Sequence, residues 1–209
     1  MIPQTSAGDR ASARSLRYLR WLKPLVAGLA IAILLRALVA QVYFVSSGSM
    51  SPTLQTGDRI LVWKWARWQP VERGEVAVLD GTDTLADANA QSAAWWQSLL
   101  LAEPLDQQLF VKRVIAIGGD RLQCCDAHGR LLLSGRPLTE PYLIGPASSV
   151  SFDVEVPTGR IFVLGDNRAD SWDSLDLLGR PGGGMIGADR VVGRVADVLL
   201  PTDRIATVN

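Results

Sequence analysis

Ser46-Ser47-Gly48-Ser49-Met50-Ser51-Pro52-Thr53-Leu54 divides the chain into two parts of different character. A long apolar segment precedes this stretch, and short apolar runs of strand length follow it. Gly48 lets the backbone turn without a Cβ penalty, and Pro52 restricts Ser51 to an extended conformation. Ser49 is therefore expected at a constrained point, although turn residues of this kind also form ordinary loops.

The segment before the turn is apolar enough to be a membrane helix. Hydrophobic residues make up 48% of the chain, and Leu, Ala, Ile and Val dominate from Trp21 onward. We predict a single transmembrane helix over residues 21–42, because a hydrocarbon core of ~30 Å needs about 20 residues. Lys23 and Arg36 fall near its ends, where long basic side chains reach the interface. A cleavable secretory signal and a buried soluble helix are the alternatives.

The charge before this segment predicts its orientation. Residues 1–20 hold four arginines against one aspartate, and basic residues before a span favour the cytoplasmic side. We therefore expect a cytoplasmic tail over residues 1–20 and an extracytoplasmic domain over residues 43–209 of a single-pass plasma-membrane protein, with the lipid bilayer as a partner. The formal net charge of the chain is zero, which gives no indication of a nucleic-acid partner.

The chain after the turn predicts a mostly β domain. Its apolar runs are short and are separated by Gly, Pro and Asp, which favours strands over helices. The strand candidates are Asp58–Trp63, Glu75–Leu79, Phe110–Ile117, Arg121–Cys125, Arg130–Leu133, Val150–Val156, Arg160–Leu164 and Arg190–Leu199. Residues 81–108 differ in composition and are predicted to be an excursion from this sheet that contains Trp95-Trp96. A second aromatic group, Trp63, Trp65 and Trp68, fits either the membrane interface or the core.

Few residues are available for metal or redox chemistry. The chain has one histidine, His128, and two adjacent cysteines, Cys124 and Cys125. One histidine is too few for a zinc site, and adjacent cysteines do not have the usual ligand spacing, so no metal and no cofactor are expected. The cysteines are interpreted as free or buried thiols in preference to a vicinal disulfide.

Lys112 is the strongest candidate for a general base that would activate Ser49. A serine hydroxyl is a weak nucleophile near neutral pH and needs a base. Lys112 lies in a mostly apolar predicted strand, where burial lowers the pKa of a lysine and makes a neutral amine available. Alternation places Arg113 on the opposite face, where it can form a supporting ion pair. The alternative is that Lys112 pairs with a carboxylate at the sheet surface.

A third polar stretch, Gly165-Asp166-Asn167-Arg168-Ala169-Asp170-Ser171-Trp172-Asp173-Ser174, follows the predicted strand Arg160–Leu164. A hydroxyl from Ser171 or Ser174 can orient the lysine amine, and Asp166 or Asp173 can hold Arg113. The same residues also fit an Asx-type turn or a cation site.

Together these three stretches resemble type I signal peptidases, the membrane-bound bacterial serine proteases that remove signal peptides from exported proteins. Ser47–Leu54 is similar to the family's nucleophile box, Lys112–Asp120 to its lysine box and Gly165–Ser174 to its third box. Two intermediate stretches, Arg73–Val76 and Leu138–Leu143, are also similar, so the resemblance covers roughly residues 21–200. It implies a signal-peptidase-like β-sheet catalytic domain attached to a single N-terminal transmembrane helix.

The resemblance also implies roles for individual residues. Ser49 would attack the scissile carbonyl and form an acyl-enzyme, with Lys112 as general base. Ser47 would complete the oxyanion hole, and Ser171 would position the lysine. Asp166, Asp173 and Arg113 match supporting positions, but the family often has an arginine where Leu175 stands, which leaves the partner of Asp173 open.

The implied substrate is the signal peptide of an exported preprotein, cleaved after small residues and bound as an added strand. The residues expected to line its pockets are Tyr43, Val45, Met50, Leu54, Phe110 and Val111. Two other functions fit parts of the sequence: a self-cleaving Ser/Lys protease of the SOS-repressor kind, and a membrane-anchored β domain that binds extended peptides without catalysis. The predicted membrane segment argues against the first of these.

Overall fold

The computed structural model describes residues 21–33, 38–82, 103–104 and 109–208. Residues 21–33 are helical, and no helix among these described residues combines the length and the apolar character needed to cross a bilayer. The expected basic tail, residues 1–20, lies outside the described residues. The chain divides into two units, one ending at Val39 and the other beginning at Ala40.

The helix expected to run to residue 42 is replaced by a strand at Ala40. Strand β1, Ala40–Phe44, pairs antiparallel with β2, Arg59–Trp63, so that Ala40 lies opposite Trp63. Gln41 and Tyr43 are buried while their neighbours along β1 are more exposed. The prediction was therefore wrong for residues 40–42, because pairing with a strand distant in the sequence determines the conformation of this apolar stretch.

The unit that begins at Ala40 is mostly β, as the apolar runs predicted. Its further strands are β3 Val76–Asp80, β4 Glu103–Pro104, β5 Leu109–Ile117, β6 Arg121–Cys124, β7 Leu132–Leu133, β8 Arg136–Pro137, β9 Phe152–Glu155, β10 Arg160–Leu164, β11 Ile186–Gly187, β12 Val191–Leu200 and β13 Ala206–Thr207. Short 3-10 helices cover Lys64–Trp68, Ala188–Arg190 and Thr202–Arg204. Each of the predicted strands overlaps one of these strands.

Nine strands of the described chain form the large sheet, in the order β11-β10-β5-β3-β12-β2-β1-β4, with β13 paired to β12. Its pairings are antiparallel except that of β4 with β1. β3 covers one side of β5 from Leu109 to Arg113. β10 pairs with the other side of β5 only from Arg113 onward, and the partner of Arg113 in β10 is Leu164. The first half of β5 therefore has no strand of the described chain on that second side.

Buried apolar side chains join these elements in three clusters. One contains Tyr43, Met50 and Leu54 together with residues of β2 and β12, and it anchors the turn that carries Ser49. A second surrounds the middle of β5 and β10. The third includes Leu122 of the small sheet and Phe162 of β10, so it packs the two sheets together.

The small sheet has the order β8-β7-β6-β9 among the described residues. Residues 127–129, including His128 and Gly129, form the expected turn between β6 and β7. Cys124, at the end of β6, and Cys125 are joined by a disulfide. The expectation of free thiols was therefore wrong: both residues lie beside the third cluster, and their adjacent positions bring the two sulfur atoms together.

Most of the excursion expected over residues 81–108 lies outside the described residues, including Trp95-Trp96. Of its described residues, Glu103–Pro104 form β4 beside β1. The other aromatic group is exposed: Trp63, Trp65 and Trp68 show 37%, 44% and 66% of their surface. These three side chains therefore do not fill the core.

Candidate active site

Ser49 lies in a turn whose two ends are fixed by buried residues. The amide of Ser51 donates to the Gly48 carbonyl at 3.0 Å, and that of Leu54 donates to the Met50 carbonyl at 2.9 Å. Met50 and Leu54 are buried in the first cluster, whereas Ser49 is half-buried. Met50 and Leu54 thus anchor the turn in the core, while Ser49 stays partly exposed. The Ser49 Oγ lies 3.4 Å from Ser47 Oγ.

Lys112 is buried in β5, with 2% of its surface exposed. Burial lowers its pKa to about 8, because an ammonium group loses its hydration there. Asp173, Asp176, Asp166 and Asp170 oppose this effect, since their negative charges favour the protonated amine. The burial predicted for this lysine is therefore confirmed.

The partner that orients the amine is Ser171. Lys112 Nζ donates to Ser171 Oγ at 2.9 Å, and Ser171 Oγ donates in turn to Asp173 Oδ2 at 2.6 Å. Ser174, the other hydroxyl considered, instead accepts the Val163 amide and donates to the Gly184 carbonyl. Of the two serines that the polar stretch offers, Ser171 is therefore the one that binds the lysine amine.

Asp173 is held without an arginine. Its carboxylate accepts the amides of Gly165 at 2.9 Å and Leu175 at 3.1 Å, besides the hydroxyl of Ser171. The group is 2% exposed and has no ion pair with a basic side chain among the described residues. Backbone amides therefore hold Asp173 in place of the arginine that the family often has at the position of Leu175.

Arg113 points away from Lys112 and forms a buried, two-pronged ion pair with Asp166. Its Nε and one terminal nitrogen lie 2.9 Å and 2.7 Å from the two carboxylate oxygens. Thr53 also donates to Asp166 at 2.5 Å, which ties the nucleophile turn to the third polar stretch. The expected ion pair on the opposite face of β5 is confirmed, with Asp166 as the partner.

Asn167 joins the third polar stretch, Gly165–Ser174, to the backbone of the turn that carries Ser49. The Asn167 amide donates to the Ser49 carbonyl at 3.0 Å, and its side chain donates to the Gly48 carbonyl at 3.2 Å. A Cβ at position 165 would lie only 2.5 Å from the Ser49 carbonyl oxygen, so the close approach requires Gly165.

Ser49 and Lys112 line one cavity with a volume of about 390 Å³. Its wall consists of Val45, Ser46, Ser47, Ser49, Met50, Leu109, Phe110, Val111, Lys112, Asp170 and Trp172. Four of the residues expected to contact substrate are in this wall. Tyr43 and Leu54 are not, although they belong to the same buried cluster as Val45, Met50 and Val111.

The side chains of Ser49 and Lys112 form no direct hydrogen bond with each other in the structure. The hydroxyl of Ser49 is instead near that of Ser47, and the amine of Lys112 bonds to Ser171. Both groups nevertheless face the same cavity.

Ser46, Leu109, Asp170 and Trp172 line the cavity but were not among the residues expected to line the pockets. Three of them stand inside the polar stretches quoted above, and Leu109 begins the strand that carries Lys112. Proximity to the candidate nucleophile and base in the sequence was thus the signal that would have found them.

Comparisons with known proteins identify the family of this chain. Residues 18–200 match the family model "Signal peptidase, peptidase S26". Signal peptidase I of Bacillus licheniformis is 31% identical, with 88% of this chain and 90% of that protein covered. Signal peptidase I T of Bacillus subtilis strain 168 is 30% identical over 94% and 93% of the two chains.

Similarity extends to a second genus and to a solved structure. Signal peptidase I of Mycobacterium tuberculosis strain H37Rv is 34% identical over 79% of this chain and 67% of that protein. The crystal structure of a signal peptidase I from Enterococcus faecalis V583 covers 63% of this chain and 98% of its own, at 22% identity and a TM-score of 0.40. The family match over most of the length and the relatives at 30% identity or more show that this chain belongs to the signal peptidase family, peptidase S26.

Proposed function

We propose that this protein is a membrane-bound serine endopeptidase that removes N-terminal signal peptides from exported preproteins by cleaving after small residues. The observation that carries the proposal is the buried Lys112, which shares a cavity with Ser49 and is held by Ser171. Membership of the signal peptidase family supports the substrate class.

The catalytic step proposed for the dyad uses the neutral form of Lys112. A neutral amine has two N–H bonds and one lone pair. Because Ser171 accepts one N–H, the lone pair is left for the Ser49 hydroxyl proton. Ser49 Oγ attacks the scissile carbonyl while Lys112 takes that proton, and the resulting ammonium then protonates the leaving amine.

An acyl-enzyme on Ser49 is the intermediate of this scheme. Water attacks the ester carbonyl as Lys112 again accepts a proton. Lys112 then returns this proton to Ser49 Oγ as the ester bond breaks, and the carboxylic acid product ionises in water. The developing oxyanion would be stabilised by the Ser49 amide and the Ser47 hydroxyl, which is close to Ser49 Oγ.

The side of Phe110–Lys112 that faces away from β3 pairs with no strand of the described residues, which supports binding of the substrate there as an added strand. β3 pairs with one side of Phe110–Lys112, and β10 does not reach them on the other. An extended peptide placed there would gain backbone hydrogen bonds, and its alternate side chains would point towards the cavity wall. Val45, Met50, Phe110 and Val111 supply shallow apolar contacts for small side chains.

For the whole chain we propose a cytoplasmic tail over residues 1–20 and a plasma-membrane span from residue 21 to about residue 39. The extracytoplasmic catalytic domain then begins at Ala40, where β1 starts. A span ending there places Ser49 within about ten residues of the membrane, which suits a substrate held in the bilayer by its own apolar segment.

The test is cleavage of a preprotein by purified full-length enzyme in detergent. We expect Ser49→Ala and Lys112→Ala each to reduce turnover to the background rate, whereas Ser151→Ala and Lys64→Ala retain it. Ser151 is exposed, and Lys64 hydrogen-bonds Gln41 away from the cavity. Near-normal turnover by either dyad variant would exclude the mechanism, and binding of the preprotein without cleavage by the wild type would favour a non-catalytic peptide-binding domain.

A further inference from the structure

Trp172 contributes a large aromatic wall to the cavity that contains Ser49. The cavity is lined by three separate segments: residues 45–50, residues 109–112, and Asp170 with Trp172. In that wall Trp172 has the largest side chain, and 47% of its surface is exposed. An indole at this place occupies volume that a substrate side chain would otherwise use.

The backbone on both sides of Trp172 is fixed to the catalytic groups. Ser171, the preceding residue, lies 2.9 Å from Lys112 Nζ through its Oγ. Asp173, the following residue, is buried and accepts hydrogen bonds from Ser171 and the Gly165 amide. The attachment point of the indole is therefore set relative to the general base.

The indole itself is held by Arg180, whose guanidinium carbon lies 5.6 Å from the ring centroid. Arg180 belongs to the loop after Ser174, and this loop folds back because Ser174 Oγ donates to the Gly184 carbonyl at 2.8 Å. A side chain at position 184 would overlap the backbone of Ser174, so a glycine is needed for that close approach. A cation over the ring face is attractive and restricts the orientations of the indole.

We infer that Trp172 sets the upper size of the side chain that this enzyme accepts beside the scissile bond. The inference rests on the proposed function, since it assigns a specificity role in the cleavage carried out by Ser49. In apolar sites, one methylene group changes discrimination by roughly 10-fold to 200-fold. Removing an entire indole from the wall is therefore expected to relax the size limit measurably.

The experiment compares preproteins that differ at one residue. The full-length enzyme in detergent is given substrates with Ala or Leu at the position immediately before the cut, and a second pair with the same change immediately after it. The readout is the ratio of kcat/KM for Leu to that for Ala at each position. This ratio does not depend on the fraction of active enzyme, so partial loss of folding does not change it.

We expect Trp172→Ala to raise the Leu-to-Ala ratio by about 10-fold or more at one of the two positions. Trp172→Phe keeps an aromatic wall of smaller size and should give a smaller increase. The matched control is Trp68→Ala, because Trp68 is also exposed and also has an arginine, Arg67, over its ring, at 5.2 Å. Trp68 does not line the cavity, so the ratio should stay at the wild-type value.

Unchanged ratios at both positions in Trp172→Ala would overturn the inference. If Trp172→Ala cleaves neither substrate, the ratio for Trp172→Phe decides: an increase supports the inference and a wild-type ratio overturns it. Failure of the proposed function is a different result, because the wild type would then not cleave the Ala preproteins at all.

Discussion

Lys112 and Ser171 are joined by a hydrogen bond of 2.9 Å between Nζ and Oγ, although 59 residues separate them in the sequence. Ser171 directs its own proton towards Asp173, so that its lone pairs face the amine. This arrangement holds the lysine without supplying it with a proton. The hydroxyl therefore serves as a positioning group for the base proposed here.

Ser171→Ala is expected to lower kcat by about 10-fold to 100-fold while KM changes little. General-base catalysis contributes typically 10²–10⁴ in rate, and part of that is lost when the amine is no longer oriented. Steady-state kinetics on a preprotein separates the two parameters, with Ser151→Ala as the control. A rise in KM at constant kcat would show that Ser171 instead binds substrate.

The pH dependence of cleavage follows from the lowered pKa of Lys112. The amine must be neutral to act as a base, and its pKa is about 8. We expect kcat/KM to rise about 10-fold per pH unit below that value and to level off above it. The measurement is a pH–rate profile in buffers of constant ionic strength. A flat acid limb would contradict a lysine base.

The strands and the burial of Lys112 were predictable because both depend on local sequence. Arg160–Leu164 has the same bounds as predicted from its apolar run, and the mostly apolar surroundings of Lys112 indicated burial. The polar stretch by itself left Ser171 and Ser174 open, and only the family resemblance implied Ser171. Both hydroxyls lie in one loop, and the fold of that loop onto Gly184 decides which one faces Lys112.

Apolar character alone also did not separate the cavity wall from the core. Tyr43 and Val45 stand two residues apart and are both buried, yet Val45 lines the cavity and Tyr43 does not. The start of β1 was missed for a similar reason. Ala40 and Val42 extend the apolar pattern of the helix, and only pairing with β2 shows that they belong to a strand.

Gly165→Ala is expected to reduce kcat/KM by more than about 100-fold. The added Cβ would overlap Ser171 Oγ and would lie 2.5 Å from the Ser49 carbonyl oxygen, so nucleophile and positioning group would both move. A misplacement of about 1 Å is enough for a loss of this size. Gly179→Ala is the matched control, since nothing lies within 4 Å of a Cβ there. Normal activity of Gly165→Ala would show that the site tolerates this displacement.

Asp166→Asn tests the buried ion pair that joins β5 to the nucleophile turn. The substitution leaves the Arg113 guanidinium, 2% exposed, without its counter-charge. Removing one partner of a buried pair typically costs about 3–5 kcal/mol of unfolding free energy. Urea unfolding measures this loss. Asp153→Asn, which removes the partner of the exposed Arg121, should change the stability little by comparison; equal losses would mean that burial of the pair is unimportant.

Lys112→Met is expected to stabilise the folded protein at pH 7 while abolishing activity. The pKa of Lys112 falls from its ordinary value of 10.5 to about 8 on folding, so below pH 8 the folded state must protonate a poorly hydrated amine. At 1.36 kcal/mol per unit, this penalty is roughly 3 kcal/mol. Between about pH 8 and 10.5 the unfolded chain binds the proton and the folded chain does not, so the stability of the wild type rises with pH. The advantage of Lys112→Met over the wild type should therefore be full at pH 7 and vanish above about pH 10.5. Urea unfolding of both proteins across this range measures the difference, from which other titrating groups cancel. A stability difference that is independent of pH would show that the amine is not desolvated in the fold.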